Sequence, residues 1–436
     1  MMNSFLFKHI DNSALVVFRI LFGLLCFLES VGAIFTGWVK KTLIDPQFTF
    51  NFLGFDWLQP LSGNGMYIYY SVMGIFGVLI MLGYKYRLSA FGFALMWTGT
   101  YFMQKTSYNN HYYLLFLLSF IMAVLPANRY ASLDVKLNPK LKSISMPNWC
   151  RWVFIIQLFI VYTYASLAKI YPDWLDASVI KLLMQSKSHF PVVGEFLQNE
   201  SVHYFIAYSG ILFDGLVIPL LLFKPTRKYI FYASIFFHLF NSFVFHIGIF
   251  PYLSLAFCLF FFDAKTVRNL FLKNKELYVG NEVKTPNYQS VFKIAFALYF
   301  IIQIGLPLRH YFIQDNVLWT EEGHRLSWRM MLRAKSGSIY FRVVDNATNN
   351  LIPIKLDDYL SRKQQRSLAT KPDFIWQFSQ RLNKQFEAEG KDISIFATSY
   401  LSVNGKPSKR FINPEIDLVK AEWNYFKHNT WILPSK

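Results

Sequence analysis

Residues 14–35 read ALVVFRILFGLLCFLESVGAIF, twenty-two positions whose only charges are Arg19 and Glu29. Coiled into an α-helix, a run of this length covers about 30 Å, the thickness of the hydrocarbon core of a bilayer. A cleavable leader has a basic start and a shorter apolar core, so this stretch is expected to stay in place as a first transmembrane helix. Eight further apolar runs follow at 67–83, 89–103, 112–125, 151–168, 205–223, 229–246, 250–262 and 292–308. Several are short, and the seventh and eighth are parted only by His246-Ile247-Gly248-Ile249-Phe250-Pro251, so the chain is expected to cross the bilayer eight or nine times. The composition agrees: 54% of the 436 residues are hydrophobic, 19% are aromatic and only 16% are charged, where soluble domains carry about a quarter.

Lys and Arg outnumber Asp and Glu by 44 to 26, a formal charge of +18. In a soluble chain that excess would suggest nucleic acid. Here it is interleaved with apolar runs, and a membrane protein gathers its cations on the cytoplasmic face, so no nucleic-acid partner is expected. Nine crossings sort the cations consistently. One side holds Lys8, Lys85, Arg87, Arg129, Lys136, Lys140, Lys142, Lys224, Arg227 and Lys228, whereas the longer loops opposite hold only Lys40, Lys41, Lys105, Lys181 and Lys187. Residues 263–291 add Lys265, Arg268, Lys273, Lys275 and Lys284 to the first side. The N-terminus is therefore expected to be cytoplasmic and everything after residue 308 exoplasmic.

Beyond residue 308 the apolar runs shorten and charges rise. Strand-like stretches appear at Ser338–Val344 and Ile393–Val403, and Phe374, Ile375, Phe378, Leu382 and Phe386 recur at helical spacing up to Gly390. The expected organisation is an α-helical polytopic membrane domain, residues 1–308, followed by a small exoplasmic α+β domain, residues 309–436. Cys26, Cys150 and Cys258 are far apart in the sequence, which argues against a disulfide framework or a thiolate metal site.

Ionisable groups at membrane depth are costly to bury and are candidates for function. Lys169 closes the run 151–168 in the stretch Tyr162-Thr163-Tyr164-Ala165-Ser166-Leu167-Ala168-Lys169. It reads either as a lysine snorkelling to the interface or as an amine in an aromatic pocket that can serve as a base. His111 ends the polar string Lys105-Thr106-Ser107-Tyr108-Asn109-Asn110-His111. Asp214 lies within 205–223, with Lys169 or His238 as its available partner. His238, with Asn241, sits inside 229–246, where an interhelical hydrogen bond is the plain expectation. The histidines lack zinc-ligand spacing, no metal site is expected, and neither a glycine-rich phosphate loop nor a nucleophile elbow is present.

These residues, in this order, resemble the vitamin K-dependent gamma-glutamyl carboxylase family, with its HTTM-type membrane module. The similarity runs from Val17-Phe18-Arg19 through the Lys105–His111 string, Gln157, Tyr162 to Lys169, Asp173-Trp174, Asp214, His238 with Asn241-Ser242, and Ile247-Gly248 with Phe250. It continues in Trp319-Thr320, Ser327-Trp328, Met330-Met331 and a tail from Phe411-Ile412 to Trp431. The resemblance implies a multi-pass membrane enzyme, a peptidyl-glutamate 4-carboxylase acting as a carbon–carbon lyase. Its cosubstrates would be reduced vitamin K (the hydroquinone), O2 and CO2, and its partners the lipid bilayer, the quinol and a glutamate-rich peptide or protein.

On the same basis Lys169 would deprotonate the quinol. Oxygen addition and collapse toward the epoxide would then yield an alkoxide able to take a γ-proton from glutamate, and CO2 would trap the carbanion. His111 would stabilise charge in the glutamate half-reaction. Asn109, Asn110, Gln157, Tyr164, Asp214, His238 and Asn241 would bind quinone or substrate. A family-type disulfide between loop and lumenal domain has no cysteines to form it, and the compact chain is expected to be a bacterial relative. Two other readings carry different functions: a quinol epoxidase that carboxylates no glutamate, and a non-catalytic quinone- or lipid-binding protein or transporter.

Overall fold

The computed structural model describes residues 2–435. Each of the nine apolar runs falls on a helix: α1 (Ser13–Phe35), α2 (Gly65–Leu82), α3 (Tyr86–Met103), α4 (Asn110–Val124), α5 (Trp149–Leu167), α6 (Glu200–Leu222), α7 (Lys224–Phe245), α8 (Phe250–Phe257) and α9 (Gln289–Leu308). Five of these, α1, α2, α5, α6 and α9 extended to Phe312, are both long and apolar enough to cross a membrane. Length and apolarity alone thus support five of the expected eight to nine spans. The physical reasons are visible in the others: α4 and the segment of α8 are shorter apolar helices, and α7 opens with Lys224, Arg227 and Lys228.

The helices alternate between two ends, and the loops segregate accordingly. At one end His9–Asp11 pairs antiparallel with Ser145–Pro147. The buried Lys275 ammonium binds Asp11 at 2.6 Å, and the His9 amide donates to the Glu282 carbonyl. At the other end loop 36–64 meets the segment after α3, where Gln104 donates to the Thr42 carbonyl at 3.1 Å. The grouping of the N-terminus with residues 126–150 and 263–291 is the one that charge counting expects.

α1 and α2 pack backbone against backbone. A Cβ on Gly77 would sit 2.6 Å from the Phe27 nitrogen, and one on Gly23 would sit 2.3 Å from the Met81 nitrogen. Without a hydrophobic force between helices in lipid, such close approach through small residues is a main source of association. Gly77→Leu is therefore expected to cut the folded protein recovered from membranes to about a tenth, whereas Gly32→Leu on the same pair, with no atom within 4 Å of its Cβ position, leaves the yield unchanged. Monodispersity of detergent extracts checks both. Further along, Phe18 of α1 packs on Phe154 of α5 and Phe257 of α8 with ring centroids 5.0 and 4.8 Å apart, which draws three helices into one core.

The C-terminal region carries a four-stranded antiparallel sheet of β1 (Lys335–Asp345), β2 (Leu351–Ile352), β3 (Ile393–Val403) and β4 (Lys409–Arg410), in the order β2-β1-β3-β4. β1 and β3 pair from Lys335↔Val403 to Asp345↔Ile393. The inner residues of β3 alternate as a half-buried strand requires: Ile393, Ile395, Ala397, Ser399 and Leu401 are buried. Helix α10 (Arg362–Leu368) leads into α11 (Pro372–Ala388), which lays the stripe Phe374, Ile375, Phe378, Leu382 and Phe386 into the same core. Gly390, at φ +74°, follows the last turn of α11 in the left-handed conformation that glycine adopts without steric penalty. This core does not close on C-terminal residues alone. Phe48 and Phe50, from the loop between α1 and α2, are buried in it, with Phe50 4.5 Å from Phe374.

Candidate functional site

α5 ends at Leu167, and Lys169 sits on the turn beyond it, its amide donating to the Ser166 carbonyl at 3.0 Å. Its side chain folds back along the helix instead of snorkelling to water. Lys169 Nζ donates to the Ala165 carbonyl at 3.1 Å and to Asp214 Oδ2 of α6 at 2.5 Å. The partner of Asp214 is therefore Lys169 and not His238. Trp174 covers the pair from the turn that follows, its ring 5.5 Å from Nζ and its indole N–H donating to the Ala207 carbonyl at 3.0 Å. Gly210 of α6 lies beside both side chains, where a Cβ would be in ordinary contact with the Trp174 ring at 3.7 Å and with Lys169 Cε at 3.8 Å.

His111 stands in the first turn of α4, its ring stacked on Phe250 of α8 at 4.2 Å. His238 of α7 makes the interhelical bond expected of it, Nε2 lying 3.0 Å from the Tyr162 hydroxyl of α5. Together with Asn241, which donates to the Phe237 carbonyl one turn back, these groups line a cavity of about 280 Å³. Its remaining walls are mostly aromatic and aliphatic: Trp174, Phe205, Phe236, Phe240, Ile206 and Met330 among them. An apolar slot with a few convergent polar groups is the usual form of a small-molecule site.

Gln157 and Tyr164 do not reach this cavity. Gln157 accepts from Tyr299 of α9 at 2.7 Å, and the Tyr164 hydroxyl donates to the Ile304 carbonyl at 2.8 Å, so both fasten α5 to α9. Helical phase is the reason: Tyr164 is two residues from the cavity-lining Tyr162, a turn of about 200°. Asn109 and Asn110 lie elsewhere again. Asn109 caps α4 by accepting from the Tyr112 amide at 2.7 Å, and Asn110 donates to the Arg329 carbonyl at 2.9 Å and accepts from the Tyr108 hydroxyl at 2.8 Å.

Both asparagines line a second cavity, of about 200 Å³, that sequence reading did not anticipate. It is basic: Lys105, Arg325, Arg329, Arg333 and Lys371 face it, against the single carboxylate of Glu321. Arg325 grips Asp373 with two bonds of 2.8 and 3.1 Å, and Lys105 reaches the same carboxylate at 2.6 Å. Burial would raise Asp373, but the Arg325 and Lys105 charges hold it down at about 2. Arg333 and Lys335 are both spent on Glu321. Among the described residues, Arg329 and Lys371 are left without a carboxylate. Arg329 lies 3.3 Å from His310 Nε2 and has a buried, unbonded Nε, and Lys371 faces the Phe374 ring at 5.1 Å. Burial, helped by the Arg325 charge, lowers Lys371 to about 8.

The loop carrying these arginines is strained: Glu321, Leu326, Trp328 and Met331 all have φ between 53° and 62°. Non-glycine residues are held in the left-handed region only where surrounding structure over-determines them, which is common at binding sites. His111, Met330 and Met331 line both cavities, so the imidazole stands in the wall between an apolar slot and an anion-attracting one.

Comparison with known families matches both parts of the chain. The HTTM domain covers residues 7–265, and the vitamin K-dependent gamma-carboxylase lumenal domain covers residues 288–436. The chain belongs to the vitamin K-dependent gamma-carboxylase family. No solved structure matches it. In the sequence Arg325, Arg329 and Arg333 recur every four residues, but nothing local joins them to Lys105 and Lys371 in one basic cavity.

Proposed function

We propose that this protein is a membrane gamma-carboxylase that couples oxidation of a vitamin K-type quinol to carboxylation of peptidyl glutamate. The observation that carries the reading is the pair of cavities sharing His111, one apolar with a buried ion pair, the other basic with two cations that have no carboxylate partner. Overall one quinol, one O2, one CO2 and one glutamyl side chain give one quinone epoxide, one γ-carboxyglutamyl side chain and one water. The quinol supplies the electrons that reduce O2 and, in that reaction, the strong base that removes the γ-proton.

The chain's own groups prepare and contain that chemistry. The Lys169–Asp214 pair is neutral overall wherever its shared proton sits. On taking the proton of a quinol hydroxyl it becomes cationic and faces the anion it has made, an attraction strengthened by the low dielectric of the slot. Trp174 and the aromatic walls keep water from quenching the base. His111 faces the glutamate side and stabilises charge developing there. Arg329 and Lys371 receive the carboxylates of the acceptor. Lys371 is charged below about 8 and neutral above, so the Michaelis constant for a glutamyl peptide is expected to rise as pH passes about 8, while turnover of quinol alone lacks that rise. Initial rates over pH 6.5–9.5 measure both.

The membrane disposition proposed with this activity has nine crossings, a cytoplasmic N-terminus and an exoplasmic C-terminal domain beginning near residue 309. Single cysteines at the exposed positions Lys181 and Lys409 are expected to react with an impermeant thiol reagent in intact bacterial cells, and cysteines at Lys140 and Lys273 only after lysis. The activity itself is tested by giving the purified protein reduced vitamin K, labelled CO2 and a glutamyl peptide, and following epoxide and label together. Epoxide without label would favour the epoxidase reading, and neither product would refute an enzymatic role on this quinol.

A further inference from the structure

Asp173 and Trp174 follow Lys169 closely, yet only Trp174 has a place in the chemistry described so far. The Asp173 carboxylate is buried, and it accepts from Asn404 Nδ2 at 2.8 Å and from Lys406 Nζ at 2.6 Å. Lys406 is largely exposed and adds little. Asn404 is different. It occupies the tip of the β3–β4 hairpin at φ +55°, followed by Gly405 at +75°, the paired left-handed geometry of a tight hairpin turn. There it is buried and clasps Ala334 twice, its amide donating to the Ala334 carbonyl at 2.8 Å and its Oδ1 accepting from the Ala334 amide at 3.0 Å. On the other side of Arg333, the Leu332 carbonyl accepts from the Tyr171 hydroxyl. The two neighbours of Arg333 in sequence are therefore both held, directly or through Asn404, by residues two and four positions beyond Lys169.

The geometry points to Asp173 as a positioning residue that locks the two cavities in register. The turn Tyr171–Trp174 carries the wall over Lys169, and the segment Leu332–Ala334 carries Arg333 into the basic cavity, its guanidinium on Glu321 at 2.5 and 2.7 Å. Asp173 and Tyr171 bind these pieces to each other, so that the base side and the acceptor side move as one unit. The inference rests on the coupled reaction proposed above. Its consequence is specific: with the link cut, quinol is still oxidised, but the base formed in the slot meets the acceptor carbon less often and is quenched by solvent protons instead.

The readout is the ratio of epoxide formed to CO2 fixed, in full-length protein at saturating quinol, peptide and bicarbonate. Asp173→Asn, and separately Asn404→Gly, which keeps the left-handed backbone free of strain, are expected to raise that ratio at least threefold over the parent. The exchange Asp173→Asn with Asn404→Asp restores a donor–acceptor pair of the same size and is expected to bring the ratio back toward the parental value. Proportional loss of both products, with the ratio unchanged in the single variants, would overturn the proposal, because a residue that merely supports the fold lowers both alike. If Asp173→Asn fails to accumulate in membranes, Tyr171→Phe removes one hydroxyl of the same link and is read by the same ratio. A parent that forms no epoxide would instead refute the coupled reaction, an outcome distinct from an active parent whose variants keep its ratio.

Discussion

Replacing Lys169 with alanine is expected to lower quinol epoxidation by at least about 100-fold at neutral pH, the contribution usual for a positioned general base. The side chain is buried and lines the apolar slot, with its ammonium on Asp214 at 2.5 Å. Lys169→Arg should be as inactive, because a guanidinium keeps its proton and its planar fork does not superpose on an ammonium. Lys169→Ala also leaves Asp214 buried without its cation, a change that can unfold a protein by itself. The double variant Lys169→Met with Asp214→Leu removes both charges together. It is expected to accumulate in membranes like the parent and still form no epoxide above background, which separates chemistry from folding. Epoxidation by Lys169→Ala at more than a tenth of the parental rate would end the assignment.

Much of this arrangement was legible in the chain because lipid makes charge conspicuous. Lys169, Asp214 and His238 stand out against apolar neighbours, and the polar string that ends in His111 stands out between two apolar runs. All four converge on one cavity. The α11 stripe and β3 were legible for a different reason, since periods of 3.6 and 2 are imposed by the backbone. Pairing was not legible: Lys169 and His238 were equal candidates for Asp214 until the packing of α5 on α6 decided between them. Gln157 and Tyr164 were placed at the quinone by motif, although their helical phase, opposite Tyr162, already directs them toward α9. The recruitment of Phe48 and Phe50 into the C-terminal core had no local signal, because apolar residues in a long loop do not announce their partner. The basic cavity escaped for a related reason. Its cations come from three separate loop segments, around 105, 321–333 and 371, and each alone reads as a solvated charge.

That cavity carries the second large effect. Arg329→Gln is expected to raise the Michaelis constant for a glutamyl peptide by about 30-fold or more, since truncating one partner of a buried charged contact costs about 2 kcal/mol or above. Arg329 is the cation to remove because Arg325 and Arg333 are committed to Asp373 and Glu321, and losing either would leave a buried carboxylate unpaired and disturb the loop itself. The Arg329 backbone is held independently of its side chain by the Asn110 amide, so the loop should keep its course when the guanidinium goes. Quinol oxidation without peptide should change less than about threefold, because Arg329 lines only the basic cavity, whereas Lys169 and Asp214 line only the apolar one. The charge around the cavity sharpens the test. Residues 309–436 hold 20 Lys and Arg against 13 Asp and Glu, so long-range attraction also draws an acidic peptide, but it is screened within about 10 Å at 0.1 M salt. A direct contact to a buried guanidinium survives screening far better. The penalty from Arg329→Gln is therefore expected to persist at about 0.5 M salt, where steering by the domain surface has faded. A penalty that vanished with salt would place Arg329 among the steering charges and leave the acceptor carboxylate to Lys371.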